Sequence, residues 1–126
     1  MLAEIKALAQ AGLPCEVCGL IAGDAGRAVQ FVPVPNVHPT PRTRYAMDPQ
    51  TLVNTLQTFE AQGWALLAIV HSHPTGPASP SETDLAEWHY PEALCLIADL
   101  SNPDDPQVTA WRIDSGRMEQ VQLEVL

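Results

Sequence analysis

Two segments of the chain carry apolar side chains at the spacing of an amphipathic helix. The first, Leu2 to Ala11, repeats them close to every helical turn and stops before Gly12. The second, Pro49 to Gln62, lies between Asp48, a good N-cap residue, and Gly63, a residue that commonly ends helices. We therefore expect one helix over each segment.

Six other runs have the β-favouring composition of strands. They are Val17 to Ala22, Arg27 to Val34, Trp64 to Val70, Ala93 to Leu100, Gln107 to Ile113 and Arg117 to Val125. The nearly unbroken apolar run from Trp64 is typical of a strand that is covered on both faces. The Pro-dense stretch from Pro33 to Arg44 predicts an exposed loop, since each Pro lacks an N–H for regular pairing. This order of elements predicts an α+β fold in which a mixed sheet packs against helices.

Length, charge and cysteine content limit the class of protein. The 126 residues predict a single domain over 1–126, and 46% apolar residues can form its core. No apolar run approaches the roughly 18 residues of a membrane span, and no export signal is visible. The net charge of −9 argues against nucleic acid as a partner. Three cysteines, an odd number, do not suggest a secreted disulfide scaffold, so we expect a cytoplasmic protein.

Two histidines, His71 and His73, follow the apolar run that ends at Val70. Because successive side chains of a strand alternate between its faces, both rings would project from the same face and could bind one metal ion. Asp84 would complete a set of two His and one Asp. Such a set is typical of catalytic zinc, where three protein ligands leave a fourth position for water.

A helix start offers a competing explanation for the acidic segment. Ser79, Pro80 and Glu82 match a capping box with Pro at the first helical position, and this pattern requires no metal. A short helix is expected from Ser81 to His89. Capping explains Glu82 but leaves Asp84 and the two histidines without an explanation.

A hydrolytic zinc site also needs a base that takes a proton from water and returns it to the leaving group. Glu16 is the candidate because it opens a predicted strand with apolar neighbours, where its charge would be unpaired on folding. From this segment alone, an edge carboxylate that faces solvent is an equally good interpretation.

Taken together, these motifs resemble the JAMM family, also called JAB/MPN metallopeptidases. The resemblance rests on Glu-x-Cys-Gly-Leu-Ile-x-Gly from Glu16 to Gly23, and on His-Ser-His-Pro followed by Ser81 and Asp84. It extends over most of the chain, through Arg44 to Pro49, Trp88, and Ala93 to Leu100. The resemblance implies a curved mixed sheet with helices, an architecture similar to that of cytidine deaminases.

The resemblance also implies a role for each matching residue. His71, His73 and Asp84 would ligate one Zn²⁺ per chain, Glu16 would act as general acid and base, and Ser81 would stabilise the oxyanion. The implied activity is hydrolysis of a peptide or isopeptide bond at the C-terminal tail of a ubiquitin-like or β-grasp sulfur-carrier protein. The short stretch after Asp84 favours sulfur carriers, because it lacks room for the long insertions of deubiquitinating relatives.

Three other functions are weighed against this activity. The first is an amide hydrolase that releases an amino acid such as cysteine from a sulfur carrier, and the second is a non-catalytic interaction scaffold of the same fold. The presence of all five matching residues argues against the scaffold. The third is a zinc deaminase, whose signature needs His-x-Glu followed by Pro-Cys-x-x-Cys; the chain has no His-x-Glu.

We expect no catalytic role for the three cysteines, for the other two histidines or for the arginines of the Pro-dense loop. Cys15 and Cys18 form a CxxC pair, but the pair precedes a predicted strand instead of opening a helix, so we expect small buried side chains and not a redox dithiol. The same holds for Cys95. His38 and His89 are expected to be structural or on the surface. Two arginines in the Pro-dense loop could hold a carboxylate tail, namely Arg42 and Arg44.

Overall fold

The computed structural model describes residues 1–123 as three helices and one six-stranded sheet, which confirms the α+β class. The helices are α1 (Leu2–Gly12), α2 (Pro49–Ala61) and α3 (Glu82–Ala86). The strands are β1 (Cys18–Asp24), β2 (Arg27–Val34), β3 (Ala65–His73), β4 (Leu94–Asp99), β5 (Gln107–Asp114) and β6 (Arg117–Val121). Among the described residues, no helix is long and apolar enough to span a membrane.

The sheet is mixed, as the sequence predicts. Its strand order is β2-β1-β3-β4-β5-β6, and of the pairs within residues 1–123 the central pair, β3 and β4, is the parallel one. A parallel pair requires a crossover connection. Here the crossover leaves β3 at His73, contains α3 and returns at Leu94. It therefore starts at the end of the strand that carries both histidines.

The helices lie on both faces of the sheet. On one face, Ile5 and Ala9 of α1 pack in the same buried cluster as Val70. On the other face, Phe59 of α2 packs in a cluster with Ile69. Because side chains alternate along β3, the two histidines at its end share the face of Ile69. The α2 face is therefore the face of the candidate site.

Helix α2 shows how local signals fix an element. Asp48 is its N-cap, and the Asp48 Oδ2 accepts hydrogen bonds from Thr51 N at 2.9 Å and Thr51 Oγ1 at 2.7 Å. Pro49 occupies the start of the helix, where its missing N–H needs no partner. The chain turns out of the helix at Gly63, which has a φ of +74° that favours glycine.

The predicted strand from Arg27 to Val34 is confirmed as β2, whereas the start of the predicted loop at Pro33 and the predicted strand end at Val70 are wrong. Pro33 belongs to β2, paired with Gly19, and not to an exposed loop. The pairing is tolerated because β2 is an edge strand, where a missing N–H interrupts no second ladder. Strand β3 continues through His73 instead of ending at Val70, because β4 pairs with it to the last residue. Strand β6 is described to Val121, and the predicted end at Val125 lies outside the described residues.

The helix predicted from Ser81 to His89 is also shorter than expected. Helix α3 spans five residues, Glu82–Ala86, and the chain turns at its end. Trp88 Nε1 donates to Tyr90 O at 2.9 Å, so the residues after α3 form a local turn in place of further helix. The short helix leaves its first turn close to the end of β3.

Candidate metal centre

The last three residues of β3 bring two imidazoles to one face of the sheet. His71 and His73 are both buried, and His71 has no exposed surface. Their Nε2 atoms lie 3.0 Å apart. His73 Nδ1 donates to Pro77 O at 2.7 Å, which in a neutral ring leaves Nε2 as the lone-pair nitrogen. The strand therefore directs two nitrogen donors to one point.

Asp84 adds a carboxylate from the first turn of α3. Its Oδ2 atom lies 3.1 Å from His71 Nε2 and 3.1 Å from His73 Nε2. The three atoms form a nearly equilateral triangle. The structure thus brings together all three residues for which the sequence predicts metal ligation.

Asp84 is also part of a capping box. Ser81 N donates to the same Oδ2 at 2.9 Å, and Asp84 N donates to Ser81 Oγ at 3.0 Å, with Ser81 as the N-cap of α3. The predicted box of Ser79 and Glu82 is therefore wrong by two residues. Capping was expected to leave Asp84 unexplained, but it is Asp84 that closes the box.

Ser81 lies at the rim of the cluster. Its side chain is exposed, and its Oγ accepts the bond from Asp84 N, so the hydroxyl hydrogen remains available to a second acceptor. The capping geometry thus holds a hydroxyl donor beside the Asp84 carboxylate.

Glu16 approaches the histidines from the neighbouring strand. It precedes β1 by two residues and is 6% exposed, so the alternative of a solvent-facing edge carboxylate is wrong. Ser72 fixes this segment, because Ser72 N donates to Val17 O at 3.0 Å and Val17 N donates to Ser72 Oγ at 2.8 Å. One carboxylate oxygen of Glu16 and one nitrogen of each of His71 and His73 lie within 4.8 Å of one another.

The Pro-dense loop holds the backbone of Glu16 from its other side. Glu16 N donates to Pro41 O at 2.7 Å, and Asn36 Nδ2 donates to Glu16 O at 3.0 Å. The same Asn36 amide donates to Arg44 O at 3.0 Å and accepts from Ala46 N at 3.0 Å. One side chain therefore joins the loop to the segment that carries Glu16.

Burial is the main influence on the pKa of Glu16 and of His71. Desolvation raises the pKa of Glu16 from 4.5 to about 7, against the lowering influence of His73. Burial also lowers the pKa of His71, which favours the neutral imidazole that metal ions bind. Glu16 is thus able to exchange a proton near neutral pH.

At Asp84 and His73 burial is the largest single influence on the pKa, but the hydrogen bonds and neighbouring charges together outweigh it. Burial opposes a charged Asp84, but bonds from His71, His73 and Ser81 N hold its pKa well below the usual range. Burial likewise opposes a charged His73, yet its bonds to Asp84 and Pro77 raise its pKa. The carboxylate is therefore an ionised oxygen donor.

The donor atoms fit a tetrahedral metal ion. Zinc bonded to nitrogen and oxygen at about 2.0–2.1 Å holds its ligand atoms about 3.3 Å apart. The separations of 3.0 and 3.1 Å between the Nε2 atoms of His71 and His73 and the Oδ2 of Asp84 are close to that value. Glu16 has an oxygen within 4.8 Å of the two histidine nitrogens but makes no hydrogen bond to the three ligand atoms among the described contacts, so it could contact a fourth ligand.

Sequence reasoning missed three residues that support the cluster. Ser72 gave a usable signal, since it is a polar residue between the two histidines at the end of an apolar run, and the structure shows it fully buried. Tyr45 lies in the Arg44 to Pro49 stretch of the family resemblance, but no role was assigned to it. Asn36 gave no signal, because its partners are distant in the sequence. The Tyr45 ring stacks on His71 with centroids 4.6 Å apart and an interplanar angle of 22°.

The cysteines do not form a redox pair. Cys15, Cys18 and Cys95 are free thiols, and the last two are buried as expected, whereas Cys15 is partly exposed. Burial raises the pKa of Cys18 and of Cys95 to about 12, so both remain protonated at neutral pH.

The other two histidines and the two arginines of the Pro-dense loop take structural or surface positions. His38 Nδ1 accepts a hydrogen bond from Thr40 N at 3.0 Å, which matches the expected structural role. His89 is exposed, also as expected. Arg42 and Arg44 are exposed on the loop, and their suggested contact with a carboxylate tail stays a prediction.

A mixed sheet whose central strand ends in two histidines, with an aspartate supplied by the following crossover helix, defines a domain of the JAB/MPN class. Residues 1–114 match the family model described as prokaryotic homologs of the JAB domain. The chain belongs to this family.

Named relatives include two from prokaryotes. A Thermus thermophilus protein named probable TtuB-protein conjugate cleaving protease is 44% identical over 96 residues, which are 75% of this chain and 64% of that protein. The match thus spans slightly less than two thirds of the Thermus relative. A Haloferax volcanii protein named desampylase is 37% identical over 115 residues, covering 88% of this chain and 80% of that protein.

Solved structures share the fold. A Desulfitobacterium hafniense protein determined in solution superposes with a TM-score of 0.83 at 29% identity, over 96% of this chain and 85% of that one. A JAB1/MPN domain protein from Archaeoglobus fulgidus gives a TM-score of 0.68 at 21% identity, over 100% and 94% of the two chains. The second likeness is evidence for the fold alone.

Proposed function

We propose that this protein is a zinc-dependent peptidase that hydrolyses a peptide or isopeptide bond at the C-terminal tail of a ubiquitin-like or sulfur-carrier protein. The observation that carries the proposal is the triangle of His71, His73 and Asp84 with Glu16 buried beside it. The substrate class is supported by two relatives, one named for cleaving TtuB-protein conjugates and one named desampylase. The free thiols agree with a reducing, cytoplasmic setting.

Three side chains would hold the zinc ion, namely His71, His73 and Asp84. When bound there, zinc would supply Lewis-acid polarisation of the scissile carbonyl and activation of water. His73 is oriented for ligation by its bond to Pro77 O, and Asp84 by the Ser81 N–H. Ligand orientation by such outer contacts is a general requirement of metal centres.

Glu16 would move the proton. In the metal-free protein, burial raises its pKa to about 7, so both the ionised and the protonated form are accessible to it, as a group that accepts and returns a proton requires. The ionised carboxylate takes a proton from the attacking water, and the carboxylic acid then gives it to the leaving nitrogen. Ser72 keeps Glu16 at the required place through its two bonds to Val17.

Ser81 would donate a hydrogen bond to the oxyanion of the tetrahedral intermediate. Its Oγ already accepts from Asp84 N, which holds the oxygen at the start of α3, and the hydroxyl hydrogen is free to turn towards the oxyanion. A single oxyanion donor of this kind is commonly worth about 3 kcal/mol.

A cleavage assay with and without a chelator tests the proposal. The substrates are linear and isopeptide fusions to ubiquitin-like and sulfur-carrier tails. We expect Glu16→Ala to keep the metal and lose hydrolysis, and Asp84→Ala to lose both, while Glu82→Ala, an exposed carboxylate in the same turn of α3, keeps both. Chelator-resistant cleavage would refute the metal requirement, and an active Glu16→Ala variant would refute the proton-transfer role.

The same substrates separate the alternatives. Release of a single amino acid from a carrier, without cleavage of longer fusions, would favour the amide hydrolase over the peptidase. Zinc binding to the purified protein without hydrolysis of any of the fusions would favour the interaction scaffold.

A further inference from the structure

The two histidines of the triangle are oriented by different means. His73 has a hydrogen bond from its Nδ1 to Pro77 O. The Nδ1 of His71 is buried and has no hydrogen-bond partner among the described residues. Metal-binding histidines usually donate from the second ring nitrogen to a carboxylate or carbonyl, which fixes the ring. The orientation of His71 therefore needs another source.

Tyr45 contacts the face of the His71 ring, whereas the His73 ring meets it edge-on. The two rings stack nearly in parallel, with centroids 4.6 Å apart and an interplanar angle of 22°. The rotation of an imidazole about its last side-chain torsion is soft. A ring packed against its face restricts that rotation, and such stacked pairs are worth about 0.5–1.5 kcal/mol beyond burial.

The backbone of Tyr45 is itself fixed on both sides. Asn36 Nδ2 donates to Arg44 O, and Asn36 Oδ1 accepts from Ala46 N, each at 3.0 Å. Val37 N donates to Ala46 O at 2.8 Å, so the segment is also tied to the chain that follows Asn36. The segment that carries the stacking ring is thus held by Asn36 and Val37, without a hydrogen bond to the three proposed metal ligands.

We propose that Tyr45 is a positioning residue of the metal centre, whose ring keeps His71 Nε2 directed towards His73 and Asp84. The inference rests on the proposed metal centre. The Tyr45 ring would fix the orientation of the His71 ring, as the hydrogen bond to Pro77 O fixes that of His73. Loss of outer contacts of metal ligands commonly weakens metal binding about 10–100-fold, and we expect an effect of that size.

Three variants test this with zinc alone, measured by competition with a chromophoric chelator. Tyr45→Phe keeps the stack and should bind within about twofold of wild type. Tyr45→Leu removes it and should bind about 10–100-fold more weakly. Phe59→Leu is the matched control, because Phe59 is a buried aromatic on the same face of the sheet; it should lower stability but leave zinc affinity unchanged.

Cobalt gives a second measurement that does not depend on activity. The visible absorption of bound Co²⁺ reports ligand geometry, so it should change in Tyr45→Leu and remain as in wild type in Tyr45→Phe and Phe59→Leu. Tyr45→Met, which fills the space with a flexible side chain, takes the place of Tyr45→Leu if the latter does not fold. A folded variant without the aromatic ring but with wild-type zinc affinity and cobalt spectrum would overturn the inference. Failure of wild type to bind zinc would instead refute the metal centre itself.

Discussion

Replacing Glu16 by Gln should make the stability of the metal-free protein less dependent on pH. Burial raises the pKa of Glu16 in the folded chain from 4.5 to about 7. Because the folded pKa exceeds the unfolded one, folding favours the protonated acid. Its contribution to stability is complete below about pH 4.5 and is lost as the pH rises through 7. A neutral Gln at this position has no such dependence.

The size of the effect follows from the same two values. Each pKa unit corresponds to about 1.4 kcal/mol, so the rise from 4.5 to about 7 is worth about 3 kcal/mol at most. Water that reaches the carboxylate reduces this figure. We therefore expect wild type to lose about 2 kcal/mol relative to Glu16→Gln between pH 4.5 and pH 7.5.

Urea unfolding of chelator-treated protein at a series of pH values measures this difference. Wild type and Glu16→Gln are compared at each pH, so that the titration of groups common to both largely cancels. Glu82→Gln serves as a control, because it neutralises an exposed carboxylate and should add no comparable dependence. The difference between wild type and Glu16→Gln should stop growing above about pH 8.

A difference that does not change with pH would refute the reasoning. It would mean that the Glu16 carboxylate is solvated in the folded protein, despite an exposure of 6%. A difference of opposite sign, with wild type gaining stability as the pH rises, would mean that the charged form is paired. Either result would remove the physical basis for proton exchange near neutral pH.

Two further substitutions test contacts outside the cluster. Thr109→Val removes a hydroxyl that donates to Ala78 O at 2.6 Å and accepts from Trp111 Nε1 at 3.0 Å. The free energy of unfolding should therefore fall by about 1 kcal/mol. Thr109→Ser keeps the hydroxyl and should leave the free energy of unfolding nearly unchanged. Equal urea midpoints for the Val and Ser variants would contradict this. Gly19→Ala would place a Cβ 2.7 Å from Val32 O. The free energy of unfolding should fall by about 1–3 kcal/mol, measured in the same way. An unchanged urea midpoint would contradict the tight approach of β2 to β1.

The predictable parts of the fold are those fixed by neighbours in the sequence. Helix α2 forms where predicted because Asp48 and Pro49 determine its start locally. Strand β3 was predicted too short at its end, since a His-x-His sequence carries no β signal of its own. It is the parallel pairing with β4, formed across the crossover, that extends the strand through His73.

In the candidate site too, the features that depend on local sequence could be predicted, and those that join distant segments could not. The two histidines, Asp84 and Glu16 could be selected because motif spacing is local and their chemistry is distinctive. The contacts that place Glu16 could not be predicted, because they join distant segments: Val17 N reaches Ser72 Oγ across 55 residues. The register of the capping box failed for a different reason, since two Ser residues with a carboxylate three positions later overlap in one short segment.

Helix α3 depends on the site as much as the site depends on α3. The helix has five residues and none is fully buried, so packing alone holds it weakly. Its start is fixed by the capping box, in which Asp84 Oδ2 accepts from Ser81 N, and the same oxygen contacts both histidines. An ion bound to that oxygen would add a bond between α3 and β3. Metal binding and ordering of the segment that carries Ser81 and Asp84 would therefore be coupled, and the hydroxyl donor would be held most firmly in the metal-bound form of the protein.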